Sequence, residues 1–279
     1  MRSDVAGFLA KYAIGRRLLD WRQHQRTQVY LLSYPKCGRT WLRLMIGKAL
    51  DEQFELGSSD PMDLAAMSAR VPTIPRIRVR HEFKWYQPGA VESSKEQYRD
   101  KTVVFLVRDP RDVVVSMYFN ATKRQHLNDE AQRRYMFEGD LGLYLRHPVG
   151  SLDQIIDYYN VWAESREVPR RFCLVRYEEL HADAGAALRA VLGAMGITVS
   201  EAAVDRAVAF GRFDNMRKLE SADAFGSHRL RPADAADGES FKTRQGKVGG
   251  HVKYLADEDL AYVNRTIEER LSPFYASYR

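Results

Sequence analysis

Residues Val29-Tyr30-Leu31-Leu32-Ser33-Tyr34 form a short apolar run that stops at Pro35 and passes through the turn Lys36-Cys37-Gly38. It gives way to Trp41-Leu42-Arg43-Leu44-Met45-Ile46, which has helical character. A buried strand that breaks directly into a helix needs parallel neighbours and helices over both faces, because neither element can bury its apolar side alone. Thr102-Val103-Val104-Phe105-Leu106-Val107 repeats the pattern and leads into a helix opened by Pro110. Phe172-Cys173-Leu174-Val175 repeats it again, and Ile77-Arg78-Val79 is strand-like. The chain therefore reads as α/β: a single domain with a central, mainly parallel sheet flanked by helices. In such sheets ligands sit beyond the carboxyl ends of the strands.

Helices are expected over Pro110 to Thr122, Leu152 to Ser165, Gly185 to Met195, Glu201 to Ala209 and Glu258 to Arg270. From Ser221 to Phe241 periodicity is lost among Gly226, Pro232, Gly238 and several Asp and Ser residues, so a long mobile loop is expected there. Residues 221–243 are a candidate lid. Residues 1–26 read as an N-terminal basic amphipathic helix, with Val5, Phe8, Leu9, Tyr12, Leu18 and Leu19 striping it among basic side chains. Packing on the surface of the 27–279 domain is the simpler role for it; peripheral contact with an anionic membrane is the sharper one.

The net charge of +6 is concentrated in that segment, where six basic residues face two acidic ones. The remaining chain lacks the basic face that nucleic acid demands, so no nucleic-acid partner is expected. No run approaches the roughly 18 uncharged apolar residues of a membrane span, and no cleavable leader pattern opens the chain, so the expected location is cytoplasmic. Two cysteines, Cys37 and Cys173, make neither a disulfide framework nor a zinc cluster, and reduced thiols are expected.

The loop Tyr34-Pro35-Lys36-Cys37-Gly38-Arg39-Thr40-Trp41 joins a buried strand to a helix, where free backbone N–H groups and the positive end of the helix dipole converge on one spot. Lys36, Arg39 and Thr40 add charge and a hydroxyl. In a nucleotide triphosphatase loop the lysine follows the last glycine; here it precedes the glycine, so the loop is P-loop-like without the ATPase motif. The string YPKCGRTW resembles the 5′-phosphosulfate loop of sulfotransferases that use 3′-phosphoadenosine 5′-phosphosulfate (PAPS), commonly written YPKSGTTW. By that resemblance Lys36, Cys37, Gly38, Arg39 and Thr40 hold the 5′-phosphate and Trp41 stacks on adenine. Cys37 and Arg39 are departures, standing where the family usually has Ser and Thr.

Arg108-Asp109-Pro110-Arg111-Asp112-Val113-Val114-Val115-Ser116 resembles the family's 3′-phosphate motif RxPxDxxxS, which assigns Arg108 and Ser116 to the 3′-phosphate. Arg244-Gln245-Gly246-Lys247-Val248-Gly249 resembles its RxGxxG segment, with Gln245 in place of the usual lysine and Gly250-His251 in place of an Asp-Trp pair. Tyr177 and Phe213 match positions that contact adenine. His81 resembles the histidine of the family's K-T-H segment, and an imidazole titrating near neutrality can deprotonate an acceptor hydroxyl.

The implied reaction is transfer of a sulfuryl group from PAPS to a hydroxyl or amine, releasing 3′-phosphoadenosine 5′-phosphate (PAP). Lys36 would neutralise the leaving oxygen, His81 act as base, and Ser116 hold the 3′-phosphate and restrain Lys36 before the donor arrives. PAPS would be a cosubstrate, with no tightly bound cofactor and no metal. Phe83, Trp85, Tyr86, Tyr118 and Phe119 are placed to line a pocket for a small-molecule, carbohydrate or lipid-linked acceptor. A nucleotide-dependent kinase would require Mg²⁺ and the absent Walker motif. A non-catalytic adenine-nucleotide or RNA-binding module would have no reason to carry His81.

Overall fold

Burial along each strand follows its sequence and fixes its place in the sheet. The computed structural model describes residues 15, 18–83, 85, 86, 89, 91–124, 136–226 and 230–279. Strands β1 (Val29–Ser33) and β3 (Thr102–Val107) are buried at every position, as apolar runs without alternation require in a sheet covered on both faces. Strands β2 (Ile77–Arg80) and β4 (Arg171–Arg176) carry arginines and are only partly buried. The order is β2-β1-β3-β4, so the two apolar strands are central and the arginine-bearing ones form the edges. Every pairing is parallel: Leu32 lies opposite Arg80, Ser33 opposite Leu106, and Val107 opposite Arg176.

Helices cover this sheet, much as the sequence periodicity predicts. A helix over residues 18–26 precedes β1. The others that matter here are α2 (Arg39–Gln53), α3 (Leu64–Arg70), α4 (Pro110–Phe119), α5 (Leu141–Leu145), α6 (Leu152–Glu164), α7 (Tyr177–Ala182), α8 (Ala184–Ala194), α9 (Glu201–Phe210), α10 (Phe213–Ser221) and α11 (Asp257–Arg270). Helix α6 buries Leu152, Ile155, Ile156, Tyr159 and Trp162 at the i, i+3, i+4 spacing of one helical face. Phe105 of β3 meets that face, with ring centroids 5.5 Å from Tyr158 and 5.3 Å from Trp162. Helix α4 ends at Phe119 and continues as a π turn over Asn120–Arg124, rather than running as an α-helix to Thr122.

Residues 18–26 rest on the β2 edge: Asp20 pairs with Arg78 and lies 3.7 Å from Arg80, and His24 Nδ1 is 2.7 Å from the Tyr30 hydroxyl. The rest of the segment read as a single helix, residues 1–14, 16 and 17, lies outside the described residues. Among the described residues no helix is long and apolar enough to cross a membrane.

The stretch after α10 has more fixed contacts than its composition predicts. Leu230 is buried against Leu44, Met62 and Met216. The Arg217 guanidinium lies 3.3 Å from the centre of the buried Phe241 ring. Buried Glu220 accepts hydrogen bonds from the Lys242 and Thr243 N–H groups and from the Thr243 hydroxyl. A buried carboxylate demands such donors, and here the loop's own backbone supplies them.

Candidate active site at the strand ends

The carboxyl ends of all four strands open on one cavity of about 1040 Å³. Strand β1 delivers the loop from Pro35 to Trp41, β2 delivers His81, β3 delivers Arg108 and β4 delivers Tyr177. Lys36, Gly38, Arg39, Thr40, Trp41, His81, Arg108, Ser116, Tyr177, Phe213, Arg244, Gln245 and Gly246 all line it.

The β1 loop turns tightly into α2. Lys36 and Gly38 both take positive φ, 71° and 92°, on either side of Cys37. The left-handed conformation costs lysine about 1 kcal/mol and glycine almost nothing. Gly38 is fixed by space as well, because a Cβ there would lie 2.5 Å from Tyr177 Cδ2. Helix α2 begins at Arg39 with no side-chain cap and no acidic residue in its first turn. The Trp41 N–H bonds the Gly38 carbonyl at 2.9 Å, so the N–H groups of Arg39 and Thr40 are those an outside acceptor would meet. Cys37 differs from expectation: its side chain turns away from the cavity into the core, with Sγ 3.3 Å from the Tyr159 hydroxyl. Burial pushes this thiol up to about 12, so it stays protonated.

At the end of β3, Arg108 donates to Asp112 Oδ2 and to the Lys247 carbonyl, at 2.9 and 2.8 Å, and its guanidinium stacks 4.2 Å above the Tyr177 ring. Asp112, absent from the sequence-based assignment of roles, is the hub. Its carboxylate also accepts from Gly249 N–H, His251 N–H and His251 Nδ1, each at 2.9 Å. Burial alone would raise its pKa, but the His251 hydrogen bonds and the Arg108 charge outweigh burial and hold it at about 2. The segment 244–251 is thereby tied to α4. Gly246 has φ 60°, and a Cβ there would sit 2.4 Å from Phe213 Cδ2. Arg244 is held by Glu239 at 3.0 Å and by the Tyr254 hydroxyl at 2.7 Å, and stacks on Phe119 at 4.4 Å.

His81 is partly buried where β2 ends. Its Nδ1 is 3.1 Å from the Ser33 carbonyl oxygen, which can only accept, so the proton sits on Nδ1 and the Nε2 lone pair is available. Arg39 Nη2 lies 2.6 Å from that Nε2 and donates to it. Burial first, then the Arg39 and Lys242 charges, hold the imidazole well below its ordinary 6.5, although the Ser33 carbonyl pulls the other way. The next residue, Glu82, anchors the strand end: its carboxylate accepts from Tyr158 and Trp162 and lies 3.2 Å from the buried Lys95 ammonium.

Trp41 packs edge-on to Tyr177 at 5.7 Å and tilted to His181 at 5.1 Å, an aromatic corner where α2 meets α7. Buried polar atoms of cavity-lining residues, Trp41 Nε1, Arg108 Nε and Gln245 Oε1 among them, have no hydrogen-bond partner among the described residues. A ligand or a water in the cavity would supply the missing partners. Of the aromatic residues read as pocket-lining, Phe83, Trp85 and Tyr86 border the cavity, whereas Tyr118 and Phe119 pack behind it against Phe137, Tyr144 and Tyr254.

A family profile for the sulfotransferase domain matches residues 26–274. Cytosolic sulfotransferase 16 of Arabidopsis thaliana is 24% identical over 90% of this chain and 78% of its own length. The flavonol 3-sulfotransferase of Flaveria bidentis is 23% identical over 87% and 81%. Among solved structures, mouse sulfotransferase SULT7A1 complexed with PAP superimposes with a TM-score of 0.57 at 19% identity, covering 88% of this chain and 84% of that one. A retinol dehydratase in complex with androsterone and the inactive cofactor PAP gives 0.59 at 18%, covering 88% and 80%. With the profile spanning nearly the whole length and the four strand ends converging on one cavity, this chain belongs to the sulfotransferase domain family.

Proposed function

We propose that this chain transfers the sulfuryl group of PAPS to the hydroxyl or amine of a small-molecule, carbohydrate or lipid-linked acceptor. The observation that carries the reading is the cavity itself, where two cationic strand-to-helix junctions and a neutral imidazole face the same space. The residues fit the donor. The uncapped N-terminus of α2 with Lys36, Arg39 and Thr40 suits the 5′-phosphosulfate, and the Arg108 and 244–247 side suits the 3′-phosphate. The Trp41, Tyr177 and Phe213 rings border the space between for adenine.

In this mechanism Lys36 neutralises charge on the leaving oxygen, Ser116 holds the 3′-phosphate, and His81 takes the acceptor proton on Nε2. Positioning and charge complementarity supply the catalysis, as in phosphoryl transfer. Calorimetric titration with PAP, ATP and AMP tests the donor site. Binding that requires the 3′-phosphate and is lost in Arg108→Ala is the expected result; preference for ATP with Mg²⁺ would refute it. Lys36→Ala and His81→Ala are each expected to lower turnover by about 100-fold.

A further inference from the structure

Arg39 and His81 stand in a relation that the reaction cannot tolerate unchanged. The Ser33 carbonyl fixes the tautomer, so Nε2 is the nitrogen on His81 able to take a proton. That lone pair already accepts a hydrogen bond from Arg39 Nη2 at 2.6 Å, while Nη1 sits 3.2 Å from Nδ1, so the guanidinium fork lies across the whole imidazole edge. A guanidinium cannot give up its proton at neutral pH, and the imidazole cannot protonate while the fork holds its lone pair.

Arg39 is also the first residue of α2, at the uncapped helix end that borders the β1 loop, and it lines the same cavity as Lys36 and Thr40. An arriving phosphate offers it a charged, bidentate acceptor, which a guanidinium prefers to a neutral ring nitrogen. We propose that Arg39 is a positioning residue that caps His81 in the donor-free protein. The 5′-phosphate of the nucleotide draws it off, so the base is exposed only when that nucleotide is in place.

The inference rests on the PAPS reading above. With Arg39 on the phosphosulfate, Nε2 takes the acceptor O–H proton as that oxygen bonds to sulfur. The bond from sulfur to the 5′-phosphate oxygen breaks, and that oxygen keeps the electron pair. Binding order follows: donor first, acceptor second. The cap depends on an arginine at the position where the family motif usually has threonine, so it is a property of this chain's own loop.

Nitrogen-15 NMR of the imidazoles tests the cap, with the His81 signals assigned by their loss in His81→Gln. On titration with PAP, the Nε2 resonance of His81 is expected to move downfield, towards the position of a lone pair free of hydrogen bonding. In Arg39→Thr it is expected at that position without PAP. Carbethoxylation of His81 in the donor-free variant, read by peptide mass, is expected to run roughly tenfold faster than in wild type. An Nε2 resonance unmoved by PAP in wild-type protein that binds PAP by calorimetry overturns the cap and leaves the donor reading standing. Failure of PAP to bind overturns both.

Discussion

Single side chains in this protein serve two loops at once, and Tyr159 is the clearest case. Its hydroxyl accepts from the Arg108 N–H and donates to the Arg108 carbonyl, both at 2.9 Å, so the Cys37 thiol 3.3 Å away is left to donate to it. One buried oxygen therefore joins the β1 loop to the β3 loop. Tyr159→Phe strands the Arg108 N–H and is expected to cost about 1–3 kcal/mol in denaturant unfolding and to weaken PAP binding. Stability and affinity both unchanged would contradict that role. His81 makes a second prediction at this scale. Because its pKa lies well below 6.5 in the folded protein, the unfolded chain binds a proton that the native one refuses. The stability contributed is present above pH 6.5 and falls as pH drops below it. The His81 ring-proton NMR signal of the donor-free protein is expected to titrate well below 6.5, and a midpoint at or above 6.5 would exclude the environment described. Lys36, His81, Arg108 and Tyr177 are legible by their place after a strand, whereas Ser116, Phe213 and residues 244–246 are legible only through the family resemblance. The Asp112–His251 contact is not legible, since 139 residues separate the partners and neither sits in a motif that names the other.

Helix α4 and segment 244–251 act as a pair because Asp112 receives four hydrogen bonds, three of them from that segment. The carboxyl titrates at 3.8 when unfolded and at about 2 when folded. Its contribution, about 2 kcal/mol, is present above 3.8 and lost as pH falls through about 2. Asp112→Asn is expected to remove that acid-dependent part of the unfolding free energy and to lower PAP affinity through Arg108. A variant with the wild-type acid dependence would refute the assignment. Helix positions were readable from periodicity, with α6 and α11 predicted to within one residue at each end. The π turn after α4 was not, because apolar spacing reports which face is buried and not how many residues close each hydrogen-bonded turn. Residues 221–241 read as a long mobile loop for a related reason. The anchors, Leu230, Phe241 and the N–H groups that meet Glu220, form no local pattern and acquire meaning only against α10 and α2.

The whole molecule is organised around one parallel sheet whose central strands are covered on both sides. Phe105 lies at its middle, fully buried among Tyr158, Tyr159, Trp162 and Phe172. Phe105→Ala should cost about 3–5 kcal/mol, read as a lowered denaturant midpoint with an unchanged slope. A loss below about 1 kcal/mol would show that the cluster is not a shared core. The sequence by itself determined the α/β class, the strand-to-helix junctions at Lys36 and Arg108, and the family resemblance. These rest on the order of apolar runs and on glycine and proline between them, which act locally. Tertiary structure alone decided that β2 lies beside β1, bringing His81 to Arg39, that Cys37 faces the core, and that His251 closes on Asp112. Each depends on the approach of segments distant in the chain, and packing against a shared sheet, not local propensity, sets those distances.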